Sequence, residues 1–233
     1  MIKCIIFDLD GVLIDSKRVH FNALNEALSK INSKIKITFN EHLKIYDGLP
    51  TKNKLKILNK KKILNKKYNE KVYKLKQKLT TKELNKKIIF NQKIFNIFKK
   101  LKKKYKIVIA TNAVKKTCEI AIQKLKIGKY IDFYICNEDI SNAKPHPEIY
   151  LRILLKLNLK PKEAVVVEDS HYGRVAAQDS GCILFPINNP EDLNYNAINT
   201  FIKDKDNIKI GNKWIDKKLN ILIPMAGAGK RFE

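Results

Sequence analysis

The second half of this chain alternates between short apolar segments and segments with a helical period, a pattern that permits few folds. The apolar segments are rich in β-branched residues, as strands are, and they read KIVIA (106–110), DFYIC (132–136), AVVVE (164–168) and CILFPI (182–187). Between them, apolar residues recur every three or four positions, which predicts helices. Strands that alternate with helices pair in parallel and are covered on both faces. With the apolar opening IKCIIF as a further strand, the sequence predicts an α/β fold with a Rossmann-like parallel sheet.

Polar residues stand where three of the predicted strands end. Two carboxylates, Asp8 and Asp10, follow the first strand, KIVIA runs into Thr111, and AVVVE runs into Glu168 and Asp169. The carboxyl ends of parallel strands point the same way, and ligands of such sheets bind at that edge. We therefore expect these side chains to converge. Taken singly, the acidic pairs also fit turns after strands, and Thr111 also fits a helix N-cap.

A cluster of four carboxylates favours a metal ion. Like charges at one site raise one another's pKa values, and a hard divalent cation removes that conflict. Mg²⁺ prefers a few carboxylates together with water and phosphate oxygens. Thr111 and its neighbour Asn112 add polar groups, and Lys144 in AKPHPEIY adds a positive charge just before a predicted helix. Such a set suits phosphoryl transfer, where catalysis is mostly positioning and charge stabilisation.

The segment between the first strand and residue 91 has helical periodicity and no convincing strand. SKRVHFNALNEALSKI places His20 on one stripe with Leu24, a loop YDGLPTKNKL follows, and residues 55–88 are rich in lysine. The sequence therefore predicts an all-helical insertion. We assign residues 1–15 and 91–205 to the core and 16–90 to the insertion, and we treat 206–233 separately.

The net charge of +25 invites a nucleic-acid interpretation, but its detail argues against specific binding. Nearly all of the charge is lysine, and arginine, the residue that reads guanine and clamps phosphate, occurs at four positions only. A positive field that attracts anionic substrates is the milder consequence. A basic polyanion-binding protein remains the alternative from a non-enzyme class, and a salt-sensitive gel shift would test it.

Other bulk features predict a cytoplasmic protein with a real core. Apolar residues make up 44% of the chain, yet no uncharged run approaches the roughly 18 to 20 residues of a membrane span. The short apolar start is broken at once by Asp8, unlike a signal peptide. The cysteines have neither metal-ligand spacing nor a disulfide framework, so we expect them to be reduced: Cys4, Cys118, Cys136 and Cys182.

Four motifs in order, FDLDGVLIDS, IATNA, AKPHPEIY and VVVEDSHYG, resemble those of the haloacid dehalogenase superfamily. More narrowly, residues 1 to 205 are similar to the branch with a helical cap that includes phosphoglycolate phosphatase and β-phosphoglucomutase. The resemblance implies that Asp8 is the nucleophile, forming an aspartyl-phosphate, and that Asp10 is the general acid and base. It implies a cap, residues 16–90, that closes over the site.

The resemblance also implies the remaining roles. Mg²⁺ would be held by Asp8, the backbone carbonyl of Asp10, and Asp169 with help from Glu168. The transferring phosphoryl group would be held by two residues from the other motifs, Thr111 and Lys144, with Asn112 beside them.

The resemblance implies that two cap residues, His20 and Lys52, lie where the family's caps meet substrate. The mutase branch has an arginine near the position of Lys52, and lysine is not equivalent to arginine at phosphate. For His20, a packed histidine on an apolar stripe is the alternative.

Residues 219–233, LNILIPMAGAGKRFE, form an unusual tail. A short apolar strand runs into a glycine-rich loop in which Gly227 and Gly229 would allow close approach to a phosphate and Arg231 could pair with it. This is similar to the opening of sugar-phosphate nucleotidyltransferases. We therefore hypothesise a linker and the truncated start of such a domain, with a fused or separate nucleotidyltransferase as partner.

The functional expectation is a Mg²⁺-dependent phosphatase acting on a small phosphorylated metabolite, a sugar phosphate above all. A β-phosphoglucomutase-like phosphomutase using the same Asp8 and Asp10 is the alternative, because water and a sugar hydroxyl could both act as the acceptor.

Overall fold

The computed structural model of this protein describes residues 1–207, so the predicted nucleotidyltransferase-like segment lies outside the described residues. Five parallel strands form one sheet in the order β3-β2-β1-β4-β5. Their bounds are Cys4–Phe7 (β1), Lys106–Ala110 (β2), Phe133–Ile135 (β3), Ala164–Glu168 (β4) and Ile183–Pro186 (β5). The predicted α/β class and the parallel sheet are confirmed.

Helices connect these strands and fill the segment after β1. They are Lys17–Ser29 (α1), Phe39–Glu41 (α2), Thr51–Lys60 (α3), Asn69–Lys87 (α4), Gln92–Leu101 (α5), Lys115–Lys124 (α6), Glu148–Leu157 (α7), His171–Asp179 (α8) and Tyr195–Asn207 (α9). A π-helical turn, His42–Tyr46, continues α2. Within residues 1–207, no helix has both the length and the apolar character needed to cross a membrane.

The sheet is buried on both faces, as its unbroken apolar strands predict. In β1, Ile5 lies in register with Ile107 of β2 on one side and Val165 of β4 on the other. Because side chains alternate along a strand, these residues share one hydrophobic cluster with α5, α6 and α9. Cys4 and Ile6 point to the opposite cluster, with α7 and α8.

The residues from α1 to α4, here called the helical insertion, have a hydrophobic cluster of their own. Leu24 and Leu28 of α1 pack there with Tyr46, Leu58 and residues of α4. The insertion therefore has a small core of its own, and α4 also packs against α6 of the main core. The sequence predicted helices throughout 55–88, but the chain is non-helical near Lys62, which adopts a left-handed conformation with φ of 58°.

One predicted helix stop is wrong. The sequence VKKTCEIAIQKLKIG (114–128) predicts a helix that Gly128 closes, since glycine commonly ends helices. Instead α6 ends at Lys124, and Lys126 takes the left-handed conformation with φ of 56°. The chain has already turned before Gly128, which lies in a short 3-10 turn. All four cysteines are free and buried.

Candidate active site

The ends of β1, β2 and β4 meet at one cavity of about 60 Å³ beneath the helical insertion. Every site residue that the sequence predicted for the core and the cap lines it: Asp8, Asp10, His20, Lys52, Thr111, Asn112, Lys144, Glu168 and Asp169. The convergence follows from the parallel sheet, because β1 lies between β2 and β4 and all three end on the same side. The strand-end residues therefore meet as predicted.

Lys144 joins two of the carboxylates. Its Nζ lies 2.6 Å from Oδ1 of Asp8 and 3.3 Å from Oε1 of Glu168, and it donates to the carbonyl oxygen of Ala110 at 2.9 Å. Burial alone would lower the pKa of Lys144, but Asp8 and Glu168 raise it well above its ordinary value. Burial and the neighbouring Glu168 raise the pKa of Asp8, against the pull of Lys144. Lys144 thus stays a cation beside the candidate nucleophile.

Three carboxylates form a group that suits a hard divalent cation. One oxygen each of Asp8, Glu168 and Asp169 lies within 4.8 Å of the others. Oδ1 of Asp169 is buried without a hydrogen-bond partner in the described residues, whereas its Oδ2 accepts from Lys17 at 2.9 Å. Burial and the charge of Asp8 raise the pKa of Asp169 to about 6. An orphaned buried oxygen and an all-oxygen donor set fit Mg²⁺.

Two glycines let the backbone lie directly against these carboxylates. A Cβ at Gly173 would stand 1.3 Å from Oε1 of Glu168, and one at Gly11 would stand 2.1 Å from Oδ2 of Asp169. Gly11 also has a φ of +84°, a conformation that residues with a Cβ rarely adopt. The glycine after the DxD motif is therefore required by the packing of the acidic group.

Asp10 points away from that group and toward the insertion. Its Oδ1 accepts from the hydroxyl of Ser16 and from Nε2 of His20 at 3.0 Å. Nδ1 of His20 in turn lies 3.1 Å from Nζ of Lys76. A lysine donating to Nδ1 fixes the tautomer with the proton on Nε2, which donates to Asp10. The side chain of Asp10 thus lies outside the carboxylate group, and a metal contact through its backbone carbonyl stays a prediction.

The ionisation states of Asp10, His20 and Lys76 depend on one another. Burial opposes ionisation of Asp10, but a protonated His20 and the hydrogen bonds from His20 and Ser16 outweigh it and lower the pKa of Asp10 to about 2. Burial and Lys76 lower the pKa of His20, so the imidazole is neutral near pH 7. Asp10 is therefore a carboxylate in the free protein near pH 7.

Thr111 and Asn112 shape the loop after β2. Oγ1 of Thr111 accepts from the backbone N–H of Ala113 at 2.9 Å, and α6 begins four residues later, so Thr111 is not its N-cap. The side chain of Asn112 accepts from the N–H of Lys144 at 3.1 Å and donates to the carbonyl of Gly48 at 2.9 Å. Asn112 therefore ties the Lys144 loop to the helical insertion.

The buried lysines of the insertion were missed from the sequence. We singled out Lys52, which is exposed, with its Nζ 5.8 Å from the ring centroid of Tyr73. Lys54 and Lys76 line the same cavity and are each only 3% exposed. A signal was present, because each lies in a helical stripe that carries no other charge and is largely apolar, one with Leu55, Leu58 and Thr51, the other with Val72, Thr80 and Leu84.

Comparison with known proteins identifies the family. The profile described as haloacid dehalogenase-like hydrolase matches residues 5–185. The chain belongs to this family. The predicted resemblance and the enzyme class, a hydrolase of the haloacid dehalogenase superfamily, are confirmed. The match includes both Asp8 at the end of β1 and Asp169 after β4.

Individual relatives are more distant. The chain is 28% identical over 182 residues to a phosphorylated carbohydrates phosphatase of Thermotoga maritima, which covers 77% of this chain and 82% of that protein. It is 36% identical over 77 residues to the pyrophosphatase PpaX of Bacillus cereus, covering 33% of this chain and 36% of that protein. The solved structure of a β-phosphoglucomutase from Clostridium difficile has a TM-score of 0.73 at 24% identity, covering 88% and 98% of the two chains. At that identity the likeness concerns the fold.

Proposed function

We propose that this protein is a Mg²⁺-dependent phosphatase that hydrolyses a small phosphorylated metabolite, a sugar phosphate, through an aspartyl-phosphate. One observation carries the proposal: Asp8 and Asp10 follow the central strand into a cavity that also contains Lys144 and the three-carboxylate group. The similarity to a phosphorylated carbohydrates phosphatase supports the substrate class. A positive net charge of +25 would draw such anions toward the protein.

In the first step, a carboxylate oxygen of Asp8 attacks the phosphorus, and the bond from phosphorus to the sugar oxygen breaks. Lys144, 2.6 Å from Asp8, orients the carboxylate and balances charge on the phosphoryl oxygens. Thr111, which is buried beside them, supplies a hydroxyl for one of those oxygens. In the second step, water attacks the phosphorus and the bond to Asp8 breaks, which releases inorganic phosphate.

Asp10 handles the protons of both steps. The approach of a phosphate anion raises its pKa, since like charges disfavour ionisation, and this lets Asp10 carry a proton to the leaving sugar oxygen. The resulting carboxylate then takes a proton from the attacking water. His20 holds Asp10 in place through Nε2–H, and Lys76 holds His20.

The residues that would hold Mg²⁺ are Asp8, Glu168 and Asp169, together with the backbone carbonyl of Asp10. When bound, the ion would neutralise charge on the phosphoryl oxygens and between the carboxylates. Glu168 accepts from the hydroxyl of Ser170 and from the N–H of Asp169, both at 3.0 Å, and these bonds orient it. The insertion, proposed as the cap over residues 16–90, would exclude water and select the substrate.

The experiment is phosphate release from a panel of sugar phosphates and small phosphorylated acids, with Mg²⁺ and with a chelator. We expect metal-dependent release that falls by at least about a thousandfold in Asp8→Asn, since the nucleophile is lost. Asp204→Asn is the matched control, because Asp204 is an exposed carboxylate on α9, and it should retain full activity.

The outcomes separate the candidates. No release from any compound by the folded protein would contradict the phosphatase proposal and direct the assay to phosphomutase activity primed with a sugar bisphosphate. Release that persists in Asp8→Asn would contradict the aspartyl-phosphate mechanism.

A further inference from the structure

Two lysines of the helical insertion face the cavity without an acidic partner. Lys54 of α3 and Lys76 of α4 are each 3% exposed and line the cavity that contains Asp8. Within residues 1–207, no hydrogen bond or ion pair involves the ammonium of Lys54, and that of Lys76 contacts Nδ1 of His20. Lysine is almost never fully buried unless it is paired, so this arrangement needs an explanation.

The nearby acidic groups do not explain why the two lysines are buried. Asp10 and Asp47 are close enough to favour the charged form of Lys54, but neither lies within 4.0 Å of its Nζ. Asp10 is already engaged by Ser16 and His20. This wall of the cavity is therefore cationic, opposite the acidic wall formed by the strand ends.

Without a bound anion, keeping Lys54 and Lys76 charged in this buried wall costs free energy. It lowers the pKa of Lys54 to about 8, and burial with repulsion from Lys54 lowers that of Lys76 to about 7. His42, close enough for both lysines to lower its pKa, is also buried, with both ring nitrogens unpartnered among the described residues. An anion bound between the two lysines would favour the charged form of both.

We propose that Lys54, with Lys76 beside it, binds a second anionic group of the substrate, a phosphoryl group or a carboxylate. The inference rests on the proposed function and narrows its substrate class. The reacting phosphoryl group lies against Asp8 at the end of β1, and the second anion lies against α3 in the insertion. The preferred substrate is therefore a phosphorylated sugar with a second acidic group, and not a simple monophosphate.

Binding tests this without turnover. We would titrate the Asp8→Asn protein in Mg²⁺ with a hexose monophosphate, the matching bisphosphate and the matching phosphorylated sugar acid. At least one of the two doubly acidic compounds should bind about tenfold or more tightly than the monophosphate, as one charge-assisted hydrogen bond would give. Whichever binds more tightly identifies phosphoryl or carboxylate as the second group.

The lysine is tested by a matched pair of variants. Lys54→Met in the same background should abolish the preference, while Lys60→Met, which changes an exposed lysine of the same helix, should keep it. Equal binding of all three compounds, or a preference that survives Lys54→Met in a folded protein, would overturn the proposal.

A second measurement separates this proposal from the proposed function. In the otherwise unchanged enzyme, Lys54→Met should lower kcat/KM for the doubly acidic compound about tenfold more than it lowers kcat/KM for the monophosphate. If the enzyme releases no phosphate but Lys54-dependent binding persists, the phosphatase proposal fails and the anion site stands. If phosphate is released but neither binding nor kcat/KM depends on Lys54, the anion-site proposal fails and the phosphatase proposal stands.

Discussion

Replacing Lys54 with methionine should make the protein more stable. The pKa of Lys54 is about 8 in the folded protein, against 10.5 for an ordinary lysine. Each pKa unit corresponds to about 1.4 kcal/mol, so below pH 8 the buried ammonium costs roughly 3 kcal/mol of the free energy of unfolding. Methionine has a similar length and no charge, and it removes that cost. The charged form of Lys76 also becomes more favourable, because Lys54 no longer repels it.

The sign of the pH dependence follows from the lowered pKa. Between about pH 8 and 10.5 the unfolded chain holds a proton on Lys54 that the folded protein has lost, so the stability of the unchanged protein rises with pH in this window. The advantage of Lys54→Met is therefore complete near pH 7 and disappears as the pH approaches 10.5. For a chain of this size, about 3 kcal/mol raises Tm by roughly 6 to 12 °C.

The assay is thermal unfolding followed by circular dichroism, in phosphate-free buffer at pH 7 and pH 10. Lys60→Met should change the free energy of unfolding by no more than about 0.5 kcal/mol, as exposed substitutions commonly do. A Lys54→Met protein that is no more stable than its parent at pH 7 would refute the reasoning. The stability measurement and the binding experiment together would show whether Lys54 improves substrate binding while it lowers the free energy of unfolding.

Two further substitutions test the acidic group and the loop beside it. Gly173→Ala places a Cβ 1.3 Å from Oε1 of Glu168, so the Mg²⁺ concentration needed for half-maximal phosphate release should rise at least about tenfold. Gly128→Ala, whose Cβ meets nothing nearer than 3.4 Å, is the control, and equal Mg²⁺ dependence of the two variants would contradict the assignment. Asn112→Ala removes the bonds between the Lys144 loop and the insertion, and we expect a loss of about 1 to 3 kcal/mol in urea unfolding. An unchanged unfolding midpoint would show that this link contributes nothing.

The core and its site were predictable because they depend on local sequence patterns and on the common direction of parallel strands. Apolar strands alternating with helices require a parallel sheet, and parallel strands bring their carboxyl ends to one edge. The meeting of Asp8, Thr111 and Glu168 followed without any knowledge of distances. The expected stop at Gly128 failed because Lys126 adopted the left-handed conformation first, a choice between near-equal local alternatives.

The helical insertion was less predictable because its chemistry depends on which helix faces meet. The lysine-rich sequence of α3 and α4 does not show which ammonium groups are buried. We chose Lys52 and not Lys54 as the candidate substrate contact, because the family resemblance places Lys52 where caps meet substrate. Contacts such as that between His20 and Lys76 join residues 56 positions apart. Such pairs exist only once α1 and α4 have packed together.

The sequence by itself determined the parallel sheet, the acidic strand ends and the family, because each depends on periodicity and order along the chain. Only the tertiary structure decided that Lys54 and Lys76 form a cationic wall opposite those acids. Burial sets the cost of a charge, and burial is a property of the packed molecule and not of any stretch of sequence.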